Sequence, residues 1–371
     1  MADTTPATGL EAQKWDSKFF TTYIQGSRFK DLMGTDENSV IQMKENLKKG
    51  DGDTITIALV NRLTNAAVTG TSVLEGNEED MASRSHDITV NKRRNAVRIA
   101  EMSEIKSAID LRDAARATLL DWSLEDTRDL IITALGSLNG TAFTSRTSTI
   151  ADAWLVDNVD RTVFGAYATG GSAGGTDLSA DLSQLDTTND LFNVTRLDDM
   201  ILRAKACSPK IRPIRDEKDG KRYWVAFATP HAFKNLRDSI DTEVLASTVV
   251  QAQAAKLFEG GDIFWNGCIV KEVDDLPIYA NLGASATTEV TPVYLCGAQA
   301  LGYALGKRWQ TKTKEFDYGD KFGVAIEGIL GINKLRFGTG TGDTDDTKDH
   351  GVVTGFYATT GAATVTSAGE V

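Results

Sequence analysis

The side chains best suited to chemistry gather in one stretch, "LEGNEEDMASRSHDITVNKRRNAV", residues 74–97. Glu75, Glu78, Glu79 and Asp80 open it, His86 and Asp87 follow, and Lys92, Arg93 and Arg94 close it. A histidine beside carboxylates has the donors of a metal site or of an acid–base pair. Yet three consecutive carboxylates cannot all face one ion without a special turn, and nearby glycine works against the rigid support that metal ligands need. Two other readings stay open: a solvated hairpin, or an arm that seeks opposite charge on another molecule. A second stretch, "GGSAGG", holds a formal GxSxG at Gly170, Ser172 and Gly174. That motif makes a nucleophile only on a strand-to-helix elbow, and no helix starts behind this serine. A third, "GTGTGDTDD" at 338–346, lacks both the strand–helix context of a phosphate loop and the ligand spacing of an EF-hand, and reads as a solvated turn. His231 stands in the first turn of a helix, and Asn139-Gly140-Thr141 matches a glycosylation sequon that a cytosolic chain would not use. No catalytic, cofactor-binding or metal-ligating residue is assigned.

Composition narrows the classes further. The 371 residues fit two or three subdomains, and 41% apolar with 25% charged residues describes a globular chain. A net charge of −12 is the wrong sign for a tight nucleic-acid binder. Cys207, Cys268 and Cys296 are few, odd in number and far apart, so a disulfide framework or zinc site is not expected and the cytosol is the default compartment. The start, "MADTTPATGLEAQKWDS", has no apolar core of a signal peptide, and no run of about 18 apolar residues suits a membrane.

These residues must be positioned by the elements around them. Residues 1–52 carry scattered anchors, Trp15, Phe19, Phe20 and Tyr23 among them, and read as an arm that packs on something else. "DGDTITIALV" alternates, with Ile55, Ile57 and Leu59 on one strand face, and "HDITV" at 86–90 is its return. The pattern predicts a two-stranded excursion over 53–102. From Ser103 to Leu138 the period lengthens: Ile105, Ala108, Ile109, Ala115, Leu119, Trp122, Leu130, Ala134 and Leu138 recur at three- and four-residue steps. One long helix is expected, with a break near Ser123 as the alternative. Residues 139–190 read as surface loop with one short element near Ala153–Val156. "VTRLDDMILRAKAC" is a helix, "DGKRYWVAF" a turn and strand, and Thr229-Pro230 caps another helix. "EVLASTVVQAQAAKLF" is a third helix. "DIFWNGCIVKEV", "PVYLCGAQALGYALG" and "FDYGDKFGVAIEGILGINKLRF" are strands, and the tail from Gly338 is turn-rich with one strand-like run. The fold class is α+β. The excursion is too poor in apolar residues to stand alone, since a lone hairpin is marginal in water; its opposed charges are best read as interaction surface.

This order of parts resembles the tailed-phage major capsid proteins of the Hong Kong type, and the wording resembles the branch from phages of the N-four type. "LEGNEED" (74–80), "IDLRDAARATLLDW" (109–122), "GKRYWVAFATP" (220–230), "LCGAQALGYALG" (295–306) and "FDYGDKFGVAIEGILGINKLRF" (316–337) carry it. The resemblance implies a non-enzymatic subunit, without cofactor, that assembles into hexamers and pentamers of an icosahedral shell around double-stranded DNA. It implies an N-terminal arm at 1–52, an extended loop at 53–102 and a spine helix and peripheral domain at 103–207, with the insertion at 139–190. A mainly axial domain follows at 208–300, then a peripheral return at 301–337 and a tail at 338–371. The extended loop would lie across an adjacent subunit, making Glu75, Glu78, Glu79, Asp80, Lys92, Arg93 and Arg94 inter-subunit contacts, while Trp15, Phe19, Phe20 and Tyr23 pack the arm. A separate scaffolding protein, a portal and decoration proteins are the expected partners, with no membrane. The expected location is the virion, after assembly in the host cytoplasm. A cellular nanocompartment shell is the rival with the same fold, and a serine hydrolase using Ser172 the rival with another chemistry.

Overall fold

The computed structural model describes residues 29–45, 53–60, 63, 65–70, 73–81, 83–106, 111–166, 175–215, 220–240, 258–259, 262–340 and 342–359. The anchors Trp15, Phe19, Phe20 and Tyr23, the helix expected over 243–258 except Phe258, which is the first residue of a strand, and the Gly170–Gly174 motif lie outside them.

One long hairpin organises the first sheet. β13 (Leu301–Phe316) and β14 (Lys321–Lys334) pair antiparallel from Leu301↔Lys334 to Phe316↔Lys321. Their turn places Asp317, Tyr318 and Gly319 at positive φ. β5 (Asn91–Ala100) adds antiparallel to β14, β2 (Ile41–Lys44) adds parallel to β13, and β1 (Met33–Gly34) lies beyond β2, giving the order β1-β2-β13-β14-β5. One face is apolar: Val324, Ile326 and Leu330 pack with Trp309 and with Leu119, Ile131 and Leu135 of helix α2 (Leu111–Leu135). Trp122 meets Trp309 edge-on at 5.8 Å.

Within the span 103–138 expected to be helical, helix is described at α1 (Glu101–Lys106) and α2, and α2 spans about 37 Å at the usual rise per residue. Ser123 does not break it; its hydroxyl donates to the Leu120 carbonyl at 2.8 Å and the residue is buried. Ala115, Leu119, Ser123, Thr127 and Ile131 follow at four-residue steps on the buried face, so small polar residues complete a stripe that a search for apolar periodicity leaves broken. Ile105, assigned to that stripe, is 71% exposed. The helix ends before Gly136, and Asn139 and Gly140, both at positive φ, close a tight turn bridged by Leu138 and Thr141.

The second sheet runs β6 (Thr162–Phe164), β17 (Val352–Thr359), β12 (Glu289–Cys296), β8 (Arg222–Ala228), β11 (Cys268–Glu272), β10 (Asp262–Trp265), β9 (Phe258–Glu259), with β7 (Ile214–Arg215) also on β8. Asn266 and Gly267 at positive φ make the β10–β11 turn. Helices α5 (Val194–Ala206) and α6 (Pro230–Ser239) cover one face, through Met200, Ile201, Phe233 and Leu236. Asn193 caps α5 and Thr229 caps α6 by accepting from Arg196 and Ala232 N–H. The chain passes between the sheets at 297–300. There Gly297 and Ala298 donate to Gly351 and Arg212, and Gln299 and Ala300 to Ser39 and Val40.

One expectation fails here. Residues 139–190 are not a surface loop: α3 (Ser148–Asn158), β6 and α4 (Leu178–Leu182) bury Trp154, Leu155, Phe164 and Leu182 against Phe356 and Val290. The strand-like run expected in the tail forms β17, every residue of which is buried between β6 and β12. Few but widely spaced large apolar residues hold the first segment, and a nearly continuous apolar run reads as a strand covered on both faces. A buried pair ties both to the first sheet: Lys334 Nζ lies 2.8 Å from Asp349 Oδ2, each side chain 1% exposed. Trp154 Nε1 donates to the same oxygen at 3.1 Å, Asn158 Oδ1 accepts from Asp349 N–H at 2.8 Å, and Arg161 donates to the Asp349 carbonyl.

Candidate assembly surfaces

The excursion begins as a hairpin, β3 (Thr54–Val60) paired with β4 (Ser83–Thr89). Its alternation works as read: Ile55, Ile57 and Ile88 are buried with Val90, Ala304, Leu335 and Phe337. The seat depends on two glycines of the first sheet. A Cβ on Gly331 would come within 2.2 Å of the Thr89 carbonyl oxygen, and one on Gly302 within 2.4 Å of Ile88 Cδ1. His86 meets the Phe337 ring edge-on at 6.4 Å, and Phe337 meets His350 at 5.1 Å. Burial, then the Arg336 charge, lowers the His86 pKa to about 4; burial, then Arg161 and Arg212, does the same for His350. Both imidazoles are thus neutral packing groups near pH 7. The 338–346 turn grips β4: Arg84 donates to the Gly340 carbonyl and Ser85 to Asp343 at 2.7 Å.

Beyond the paired strands the excursion is open to solvent. Glu75, Glu78 and Asp80 are exposed. Glu78 accepts from Gly76 N–H at 2.6 Å and Glu79 from Asn65 N–H at 2.7 Å, shaping the loop. The segment is less polar in effect than its composition suggests. Val60, Leu63, Val73, Leu74 and Met81 are all 59–73% exposed, and they make up a large share of the exposed large apolar residues among those described. Apolar side chains left this bare in one loop mark a surface meant to be covered.

The basic block lies elsewhere, on β5 rather than in the hairpin, because residues 91–100 pair with β14. Alternation splits it between two faces. Arg93 points inward and forms a two-toothed pair with Asp126 of α2. Lys92 and Arg94 point outward, with Arg98 further along and Lys312 and Lys314 across β14. Glu327 stands among them. Lys307 at 2.6 Å, Lys312 at 2.5 Å and Lys92 at 3.2 Å surround its carboxylate. Bonds from Lys307 and then Lys312 hold its pKa down to about 2. One carboxylate against this many cations leaves the outer face positive in a chain whose net charge is −12. The far end of the same face carries Phe316 beneath Lys314, at 5.0 Å, and the fully exposed Tyr318.

A family model described as phage capsid protein matches residues 3–358 of the chain. The chain belongs to the phage capsid protein family. The major capsid protein of Pseudomonas phage KPP25 is 29% identical, over 93% of this chain and 94% of that protein. The capsid structure of cyanophage Pam1 aligns with a TM-score of 0.74 at 27% identity, covering 97% of this chain and 100% of that one. The capsid of Ralstonia phage GP4 shares the fold, with a TM-score of 0.73 at 23% identity over 91% and 92% of the two chains.

In this capsid protein the surfaces exposed by the subunit, rather than a cleft, are the candidate functional features. Of the charged residues singled out in the sequence, Glu75, Glu78 and Asp80 are exposed, half-buried Glu79 accepts from Asn65 N–H, Lys92 and Arg93 are engaged within the subunit, and Arg94 has no ion pair among the described residues. Among those residues no group of three or more His, Cys, Asp or Glu is arranged to hold a metal, and His86 packs on Phe337 instead of turning toward Glu78. The three cysteines are buried thiols, and burial raises the pKa of each. The outer basic face escaped the sequence reading, although its signal was present as cations at alternate positions, Lys92/Arg94 and Lys312/Lys314, within strand-like runs. No helix among the described residues is long and apolar enough to cross a membrane.

Proposed function

We infer that this chain is the major capsid subunit of a tailed phage, assembling into hexamers and pentamers of an icosahedral shell that encloses double-stranded DNA. The observation that carries this is end-to-end agreement with a capsid subunit: the family match over 3–358 and the Pam1 alignment that covers nearly all of both chains. A phage-specific family disfavours the nanocompartment reading, and a structural family implies a non-enzymatic role without cofactor.

Within this reading the fold is of the Hong Kong type. The sheet of β13, β14 and β5 with α2 forms the peripheral domain, the eight-stranded sheet supplies the axial domain, and the β3–β4 excursion is the extended loop that lies on an adjacent subunit. Glu75, Glu78, Glu79 and Asp80 contact that neighbour, with Arg94 available on the outer face; Trp15, Phe19, Phe20 and Tyr23 pack the N-terminal arm. A separate scaffolding protein, a portal and decoration proteins complete the partners, assembly takes place in the host cytoplasm, and no membrane is involved.

Negative-stain electron microscopy and sedimentation of the expressed protein, with its neighbouring phage genes co-expressed, test the reading. Closed shells or six- and five-membered rings are expected. A uniform small species from that co-expression would overturn it. Reversing Glu78 and Glu79 to Lys together is expected to cut shell yield while leaving the circular dichroism of the subunit unchanged. Each exposed pair contributes only about 0.2–1 kcal/mol, but a shell repeats the contact many times. Normal yield from the double variant would remove the acidic contact from the account.

A further inference from the structure

Lys334 ends β14, and Asp349 ends the short hairpin that follows it, β15 (Arg336–Gly338) against β16 (Thr347–Asp349). Both side chains are 1% exposed, with Nζ 2.8 Å from Oδ2. Other internal pairs stay wetter. Asp126, facing Arg93, keeps 10% exposure, and Asp160, facing Arg161 and Lys348, keeps 25%. Withdrawing two charges from water costs more than their attraction returns unless hydrogen bonds satisfy the remaining polar atoms. Here one atom is left over: Asp349 Oδ1 is buried and accepts no hydrogen bond among the described residues.

The other oxygen is held firmly. Trp154 Nε1–H donates to Oδ2 at 3.1 Å, and the Trp154 ring lies 5.6 Å from Lys334 Nζ. The Asp349 backbone is fixed too, its N–H donating to Asn158 Oδ1 at 2.8 Å and its carbonyl accepting from Arg161. An amine, a carboxyl carbon and a donor on one carboxyl oxygen thus meet in a water-poor site. A nitrogen 2.8 Å from the carboxyl oxygen is within reach of its carbon, close to the roughly 3–3.5 Å of a near-attack contact. The Trp154 N–H stands where negative charge gathers when an amine adds to that carbon. Buried lysines act as nucleophiles once neutral.

We propose that Lys334 and Asp349 condense after folding into an intramolecular isopeptide bond. One proton passes from the ammonium to the carboxylate, and the resulting amine attacks Cγ of Asp349. Trp154 Nε1–H steadies Oδ2 while charge gathers on it, and this oxygen remains as the amide carbonyl. Oδ1, which no hydrogen bond holds, departs as water with two of the three ammonium protons. The Nζ–Cγ bond forms, the Cγ–Oδ1 bond breaks, and one charge of each sign disappears. The balance needs no oxidant or co-reactant, and the product relieves the interior of both charges. The bond joins residues 15 positions apart, anchoring the end of β14 in the first sheet to the strand that leads into β17 of the second. This goes beyond the capsid reading and does not rest on it, because one chain carries every group involved.

The intact mass of the full chain, purified and denatured, tests it. The wild-type chain is expected to be lighter than its sequence mass by one water, and Lys334→Met to keep its full sequence mass. A tryptic digest of the wild type is expected to yield residues 322–336 joined to residues 349–371 as one branched peptide. Those peptides found separate, in a chain of full sequence mass, overturn the proposal whether or not the variant folds. A loss of one water that persists in Lys334→Met overturns it too, since a backbone succinimide would then account for the mass. Trp154→Phe keeps a ring and loses the N–H; a several-fold smaller linked fraction is expected, and complete linkage overturns the role given to Trp154. Assembly has no part in these readouts. A chain that carries the bond but forms no shell leaves this inference standing and removes only the capsid reading.

Discussion

The two sheets of this subunit solve the same problem in opposite ways. In the eight-stranded sheet β17 and seven of the eight residues of β12 are buried, with α5 and α6 on one side and the Trp154–Phe356 cluster on the other. In the five-stranded sheet β13 begins with five buried residues and ends with five exposed ones; one face is apolar under α2, and the other is apolar where the hairpin base covers it. A sheet covered on both faces is complete within one chain. A sheet with one face clad in cations and ending in exposed aromatics is stable in the monomer yet leaves area for a neighbour. The excursion, seated on that sheet by Gly302 and Gly331, leaves Val60, Leu63, Val73, Leu74 and Met81 bare.

Substitutions that open the closed sheet should cost most. Phe356 stacks on Phe164 at 5.6 Å and lies 5.8 Å from Phe143. Phe356→Ala is expected to lower subunit stability by about 3–5 kcal/mol, read as the midpoint shift in urea unfolding; a loss below about 1 kcal/mol would mean the site relaxes and the sheet is not closed as described.

Acid should act next, and at the seat of the excursion. His86 and His350 have folded pKa values of about 4 against an ordinary 6.5. Between these values the unfolded chain binds more protons than the folded one, so stability is whole above about pH 6.5 and falls as pH drops toward 4. The loss over this window is on the order of 2–3 kcal/mol per histidine. Unfolding followed from pH 7 to 4.5 should show it, and His86→Leu should flatten the slope; an unchanged slope would show that His86 is hydrated. The window stops at pH 4.5 because below it Glu327, held near pKa 2 by Lys307 and Lys312, begins to lose stability of its own as the unfolded chain takes up protons.

The smallest effect on the monomer belongs to the open sheet. Arg94→Ala with Arg98→Ala should change subunit stability by no more than about 0.5 kcal/mol, as for exposed positions elsewhere, with the urea midpoint as the check. A larger loss would place these side chains in intramolecular packing and blur the contrast between the two sheets.

Several local elements were legible. Ile55, Ile57 and Leu59 announced β3 by alternation, and Thr229-Pro230 announced α6 by its cap. Residues 139–190 hid their core because Trp154, Leu155, Phe164 and Leu182 are diluted by Gly, Ser and Thr. The helical stripe of α2 was blurred where Ser123 and Thr127 take buried positions and Ile105 stays outside. The charged stretch at 74–97 looked like one feature because sequence proximity does not reveal that β5 leaves the hairpin and joins β14.

By itself the sequence determined the local choices: alternation, helical period, caps, positive-φ turns, and a resemblance spread along the chain that pointed to a capsid subunit. Those follow from short-range sterics and hydrogen bonding, which a few consecutive residues settle. Tertiary structure alone decided which strands share a sheet, that the tail strand sits between β6 and β12, and that Lys92, Arg94, Lys312 and Lys314, about 220 residues apart in the chain, gather on one face. Strand partners are chosen by the burial and register of the whole sheet, a sum over distant residues that no local pattern contains.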